Sequence, residues 1–356
     1  MIAVVGAGPA GSYLSYLLAR NGYEVSLFEE HKEVGTPVQC TGIVTDAITR
    51  YLRLPNHIIL NKIRNVRVHS PNKSILEISL RRPDYILDRA GFDKHLSELA
   101  QDSGAKLFLS HRFLGLKDGH AVFKIGSAQK KVAYNMLVGS DGPLSEVARR
   151  SGLFKNRSFW YGYQAIIRTK NDNIIDFYPH IGSLAWIVPV DNKTARVGVM
   201  SQKNPKVVFS NFVRETHGRI MEIQAGLIPR WSTKIQIEKA NIFLLGDAAA
   251  QVKATTGGGI VPGLHAATLL SKAMIEKKSY QRKVQLELFP ELLVHSLIRS
   301  MLDRMRKEDY NQLVDECNNP NVKKILTTID RDHSVTLLLR LLSAKPGFFK
   351  FFRAYL

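Results

Sequence analysis

Ile2-Ala3-Val4-Val5-Gly6-Ala7-Gly8-Pro9-Ala10-Gly11 is the stretch whose reading decides the fold. Four apolar, strand-favouring residues run straight into glycines spaced G-x-G-x-x-G. Tyr13, Leu14, Tyr16, Leu17 and Leu18 then recur at helical spacing up to Asn21-Gly22. Val25–Phe28 is a second strand-like run, closing on Glu29, eighteen residues beyond Gly11. Strand, glycine turn, helix and strand make a βαβ unit of the dinucleotide-binding kind. Gly6 permits the tight turn, Gly8 lets a pyrophosphate approach the backbone, and Gly11 lets helix and strand pack closely. The helix N-terminus attracts the pyrophosphate charge. A carboxylate at the second strand's end accepts both ribose hydroxyls and repels a 2′-phosphate, which is the role read for Glu29.

A second glycine motif lies far down the chain. Ile242–Leu245 has buried-strand texture and leads into Gly246-Asp247-Ala248-Ala249. Thr255, Thr256 and Gly257-Gly258-Gly259 follow, opening a helix expected over Ile260–Ile275. An Asp at a strand tip holds a ribitol hydroxyl, and glycine amides at a helix start face a pyrophosphate or a flavin's polar edge. One dinucleotide touched from both ends of the chain would be FAD; an NAD site does not need the second motif.

Between the motifs, strands are expected at Val66–His69, Ile75–Leu80, Leu107–Leu109, Ala121–Ile125 and Met136–Val138, the last entering Ser140-Asp141-Gly142-Pro143. A helix is expected over Ala90–Ser103. Tyr161–Thr169, Ile174–Tyr178, Leu184–Val190 and Ala195–Met200 are aromatic and β-branched, the texture of an antiparallel sheet. Tyr280–Leu356 is helical in pattern, with a stop at Asn318-Asn319-Pro320. The expected fold is α/β: a discontinuous Rossmann-like FAD domain of the hydroxylase type (residues 1–60, 85–152 and 236–280), an inserted antiparallel β-sheet substrate domain (61–84 and 153–235), and a C-terminal helical region (281–356).

Composition narrows the classes. The 356 residues are 45% hydrophobic and 23% charged, which excludes a disordered or fibrous chain. Two cysteines, Cys40 and Cys317, cannot form a disulfide framework or a structural zinc site, and that poverty suits a reducing cytosol. No His pair has metal-ligand spacing and no Ser-His-Asp signature appears, so no metal site is expected. The N-terminus lacks the charged start of a leader, and no run is long enough to span a bilayer. Fifty Lys and Arg against thirty-one Asp and Glu give a net charge of +19. Such a chain attracts polyanions: nucleic acid, an anionic membrane or phosphorylated small molecules. No nucleic-acid motif accompanies the charge, so nucleic acid is not expected as a partner.

The glycine turn with Glu29, Ser140-Asp141-Gly142 and Gly246-Asp247-Ala248-Ala249 together resemble the flavoprotein superfamily of aromatic hydroxylases. Within it, Pro37-Val38-Gln39-Cys40-Thr41-Gly42-Ile43 and Gln251-Val252-Lys253-Ala254-Thr255-Thr256-Gly257-Gly258-Gly259-Ile260 resemble the archaeal geranylgeranyl reductases, which saturate the isoprenoid chains of membrane lipids. The resemblance implies FAD contacts at Ala10, Glu29, Arg89, Asp247, Gly259 and Ile260. It implies a backbone contact near the adenine at Phe113, and a loop passing the isoalloxazine at Cys40, Thr41 and Ile43. Trp186 and Pro189 match the family's substrate-lining pattern, while Leu184 and Val188 stand where Tyr and Phe are expected, and Ala254 replaces a proline.

The reaction implied is hydride transfer from reduced FAD to a carbon–carbon double bond, with a proton delivered to the neighbouring carbon. Cys40 is the catalytic candidate for the proton, and a bound water is the alternative. Two rival readings are a monooxygenase of the same fold and a flavin- and lipid-binding protein without turnover. The electron donor is external, either NAD(P)H or ferredoxin. The expected partners are an isoprenoid lipid substrate and an anionic membrane, with the protein in the cytoplasm, peripheral on the inner face of the membrane. Phe348, Phe351, Phe352, Tyr355 and Leu356 recur at helical spacing, with Lys345, Lys350 and Arg353 beside them and no acid after Asp332. That pattern reads as an interfacial helix.

Overall fold

The computed structural model describes residues 1–155, 157–216 and 218–352. Among them the strands form three sheets. The first runs, edge to edge, Glu238–Lys239, Ile242–Leu244, Met136–Gly139, Ile2–Val5, Val25–Phe28 and Lys106–Phe108. All neighbours are parallel except the Glu238–Lys239 edge. Ile2 to Val5 are all buried, as expected of a parallel strand covered on both faces. Helix Pro9–Arg20 begins with Pro9 in its first turn, where the missing N–H costs nothing, and packs against helix Ile260–Glu276. Small residues permit that approach: a Cβ on Gly263 would lie 3.3 Å from the Ala10 Cβ.

The second sheet has the order Arg219–Pro229, Phe159–Arg168, Thr194–Ser201, Leu184–Asp191, Ile175–Tyr178, Ile59–His69, Ile75–Leu87 and Ile43–Val44. Its pairings are antiparallel, as the sequence led one to expect, with one exception. Ile175–Tyr178 pairs in parallel with Ile59–His69, Ile175 opposite Val66. That pairing joins the hairpin of residues 59–87 to the inserted sheet. Ile43–Val44 also belongs here, opposite Ile86 and Tyr85, so the loop carrying Cys40 bridges the two sheets. The third sheet, Arg112–Lys117, His120–Ile125 and Ala128–Ala133, caps the nucleotide end.

Three elements in particular were not anticipated from the sequence. Ala128–Ala133 is mostly exposed, and Arg219–Pro229 is an edge strand with Ile220, Met221 and Ile223 on the surface. Helix Pro205–Arg214 buries only Phe209 and Phe212.

The C-terminal region is helical: Tyr280–Glu287, Phe289–Leu302, Lys307–Cys317, Pro320–Thr328 and Ser334–Ala344. Its end differs from the interfacial helix expected there. Pro346–Phe348 is a tight turn, Phe349–Phe352 a single helical turn, and Phe348 is 7% exposed. Lys345 and Lys350 both pair with Glu316, so an acid does stand beside the tail. Arg353, Tyr355 and Leu356 lie outside the described residues. Among the described residues no helix is long and apolar enough to cross a membrane.

Candidate active site

The glycine turn sits at the carboxyl end of the central strand, where open α/β sheets place their ligands. Gly6 has φ +97°, and a Cβ there would lie 2.4 Å from the Ser140 carbonyl oxygen. At Gly11 a Cβ would lie 2.2 Å from the Gly6 carbonyl oxygen. At Gly8 it would meet nothing within 4 Å, because that side opens on a cavity of about 820 Å³. Ser140 closes the turn from the neighbouring strand, its hydroxyl shared between the carbonyls of Val5 (2.9 Å) and Gly6 (2.8 Å). Glu29, 9% exposed, lines the same cavity. It accepts from the Ala7 N–H at 2.9 Å and the His31 N–H at 3.0 Å, with His31 Nδ1 at 2.6 Å. Two carboxylate oxygens offer about four acceptor directions, so room remains for a ribose hydroxyl. Phe113 lines this end too, its ring edge-on to Phe123 at 5.7 Å.

A second chamber of about 380 Å³ continues from the first, sharing Gly8, Pro9, Pro37, Gln39, Arg89 and Ser140. Ala10, Cys40, Thr41, Ile43, Gly259 and Ile260 line it. So does Asp247, whose carboxylate accepts no hydrogen bond from protein among the described residues. Burial pushes its carboxyl up to about 6, against the pull of Arg89. A Cβ on Gly259 would lie 2.8 Å from Asp247 Oδ1, so only glycine fits beneath that carboxylate. Gly259 opens helix Ile260–Glu276, and no side chain caps it. An unpartnered carboxylate, free helix-end amides and a carboxylate at the far end of the cleft fit a dinucleotide flavin.

Arg89 starts helix Arg89–Asp102 and forks onto Asp93 at 3.0 and 3.1 Å. Arg196, from the second sheet, reaches the loop carrying Cys40, donating to the carbonyls of Thr41 at 2.6 Å and Leu87 at 3.1 Å. Burial pulls the Arg196 guanidinium below its ordinary value. The Cys40 sulfur accepts from the Gly42 N–H at 3.3 Å. Thr41 donates to Gln164 (2.7 Å), Gln164 to Gln224 (2.6 Å) and Gln224 to Glu222 (2.8 Å), pinning the loop to the sheet.

One side of the second chamber is apolar: Ile43, Phe177, Leu184, Trp186 and Ile228. Trp186 is 8% exposed, and Gly198 makes space for it; a Cβ there would lie 2.5 Å from the indole. Leu184 shares its face of the strand, whereas Pro189 falls on the opposite face and lines no part of the chamber. At the far end Lys253 Nζ lies 2.5 Å from Asp332 Oδ1, Thr45 donates to Asp332, and Arg331 pairs with Asp84. Burial would raise the Asp332 carboxyl, but Lys253, Thr45 and Arg331 hold it below the usual carboxylate range.

Arg196, Gln164, Gln224, Lys253, Arg331 and Asp332 were not singled out for roles from the sequence. The one local signal was Asp330-Arg331-Asp332, a charged knot between helices.

Residues 4–61 match the model of an NAD(P)-binding Rossmann-like domain. The digeranylgeranylglycerophospholipid reductase 3 of Methanosphaera stadtmanae is 29% identical, covering 92% of each chain. The digeranylgeranylglycerophospholipid reductase of Thermoplasma volcanium is 28% identical over 97% of this chain and 96% of its own. Among solved structures, a geranylgeranyl bacteriochlorophyll reductase-like protein from Thermoplasma acidophilum superimposes with a TM-score of 0.87 at 22% identity, covering 98% and 97%. A flavin-dependent brominase gives 0.73 at 17% identity, covering 95% and 92%. Along nearly its whole length the chain is thus a relative of the digeranylgeranylglycerophospholipid reductases, built on the Rossmann-like fold that flavin-dependent halogenases share.

Proposed function

We propose that this chain is a flavin-dependent oxidoreductase that saturates carbon–carbon double bonds in the geranylgeranyl chains of isoprenoid lipids. The observation that carries the reading is one continuous cleft. Glu29 stands at one end, Asp247 and the glycine run lie further in, and a chamber walled by Trp186, Phe177, Leu184 and Ile228 completes it. Glu29, Asp247, Gly259, Ile260, Ala10 and Arg89 would hold FAD, whose reduced form supplies hydride when bound.

What the chain's own residues do follows from their placement. The apolar walls offer a substrate no hydrogen bonds, so they select by shape and exclude water from the alkene. Pinning by Arg196 and Gln164 holds the Cys40–Ile43 loop against the chamber. Cys40 delivers the proton: its thiol gives up a proton to the substrate carbon, and the Gly42 N–H directed at the sulfur holds it in place. Reducing equivalents come from an external donor, NAD(P)H or ferredoxin. The substrate resides in a bilayer, so the protein works peripherally at an anionic membrane, with exposed Leu286, Leu339 and Phe349 available to the lipid boundary.

The test is the content of the purified protein. Denaturation should release FAD, and organic extraction a prenyl lipid. Release of NAD without flavin contradicts the reading, and so does turnover that adds oxygen to the lipid instead of hydrogen.

A further inference from the structure

A third cavity, of about 520 Å³, adjoins the second chamber and shares Thr45, Phe177, Thr256 and Arg331 with it. One side is apolar. Val66 and Val68 from strand Ile59–His69, and Ile78 and Leu80 from strand Ile75–Leu87, line it at alternate positions. Residues 326–331 and Leu337 line it as well.

The remaining lining is polar, with four arginines, Arg50, Arg81, Arg82 and Arg331, against three carboxylates, Asp46, Asp84 and Asp330. Two of these are neutralised: Arg82 Nη1 lies 2.6 Å from Asp46 Oδ2, and Arg331 pairs with Asp84. The third lining carboxylate, Asp330, accepts the backbone N–H of Asp332 and acts on the Arg331–Asp84 pair. Arg50 and Arg81 have no carboxylate partner among the described residues. Arg50 Nη2 instead meets His333 Nε2 at 2.8 Å, a contact that needs the neutral ring as acceptor. Exposed guanidinium forks beside an apolar wall match the two ends of an anionic amphiphile, because arginine grips phosphoryl oxygens in pairs.

We infer that this cavity binds the phosphoryl end of an anionic lipid. Arg50 and Arg81 hold the phosphoryl oxygens, Val66, Val68, Ile78 and Leu80 hold the first part of the chain, and the chain passes between Phe177 and Thr256 into the second chamber. The inference rests on the reading of that chamber as the site of alkene reduction, and adds a direction: the head stays at the Arg50–Arg81 side while the tail reaches inward. Helix Ser334–Ala344 supports a lipid over a free phosphate. Leu337 lines the cavity and Leu339, 63% exposed, extends apolar surface outward, where a lipid leaves a bilayer.

The test is calorimetric titration of the flavin-loaded full chain with dihexanoyl phosphatidic acid, dihexanoylglycerol and inorganic phosphate. Wild type is compared with Arg50→Ala/Arg81→Ala and with Leu80→Trp. Both arginines are exposed, so the double variant should melt like wild type. It should bind phosphatidic acid at least about tenfold more weakly, as loss of charge-assisted hydrogen bonds implies, yet bind dihexanoylglycerol unchanged. Leu80→Trp fills the cavity with charge intact and should weaken both lipids. Equal affinity of wild type and the double variant for phosphatidic acid overturns the inference. Inorganic phosphate binding as tightly as phosphatidic acid also overturns it, in favour of a free phosphate. Binding is measured without turnover, so a wild type that binds as expected but reduces no alkene counts against the reaction and leaves the cavity's assignment standing.

Discussion

Asp247 serves two opposed ends. Its folded-state pKa is raised from 3.8 to about 6 by burial, so the folded protein binds that proton more tightly than the unfolded chain. The resulting stabilisation is full below about pH 4 and is lost as pH rises through about 6. At neutral pH the ionised carboxylate therefore destabilises the flavin-free protein, whereas in the proposed function it would accept a ribitol hydroxyl. Asp247→Asn should raise the melting temperature of flavin-free protein at neutral pH, with the difference closing below about pH 4. The same variant should lose most of its flavin; equal melting curves together with full flavin retention would contradict this account of the residue. Cys40 makes a narrower demand. Cys40→Ala should keep flavin bound and slow alkene saturation by about 10²–10⁴, the range for a lost proton donor, and Cys40→Ser should recover part of it. An alanine variant as fast as wild type would hand the proton to water.

At the scale of elements, the nucleotide half was legible because its signals are local. Strand, turn and helix follow one another within thirty residues, and Gly6 and Gly11 each answer to a contact of their own turn or the adjoining strand. The substrate half was only partly legible, because its contacts are between residues far apart in sequence. Arg196 holds the carbonyl of Thr41 across 155 positions, and Asp332 takes the Thr45 hydroxyl across 287. Nothing in local periodicity encodes such a pair. The Lys253–Asp332 contact, with side chains 10% and 8% exposed, ties the C-terminal region to the glycine run. Asp332→Ala leaves a buried ammonium unpaired and should cost about 3–5 kcal/mol, while Lys253→Met/Asp332→Leu should restore much of it. Denaturant titration reads both; a single variant as stable as wild type would show that the contact does not secure the region. The tail is a parallel case. Helical spacing was present in the sequence, but Pro346-Gly347 breaks the helix and Glu316 captures Lys345 and Lys350.

For the whole molecule, charge and shape point the same way. A net charge of +19 would draw the protein to anionic surfaces, and exposed Leu339 lies on the helix beside the Arg50–Arg81 cavity. Sedimentation with anionic vesicles should fall with added salt and fall further in Leu339→Glu; salt-independent sedimentation, or a variant indistinguishable from wild type, would remove the membrane from the account. The resemblance visible in the motifs extended to the fold, since the two sheets, the Cys40 loop between them and the glycine run build one cleft. The central claim is that this cleft reduces prenyl double bonds, and the most direct measurement is lipid mass after anaerobic incubation. Flavin-loaded protein, reduced chemically, is mixed with a digeranylgeranyl phospholipid and the lipid is weighed by mass spectrometry. Gain of hydrogen pairs, stepwise and dependent on the flavin, is the predicted result; a lipid of unchanged mass beside a fully reduced, stably folded flavoprotein would contradict it.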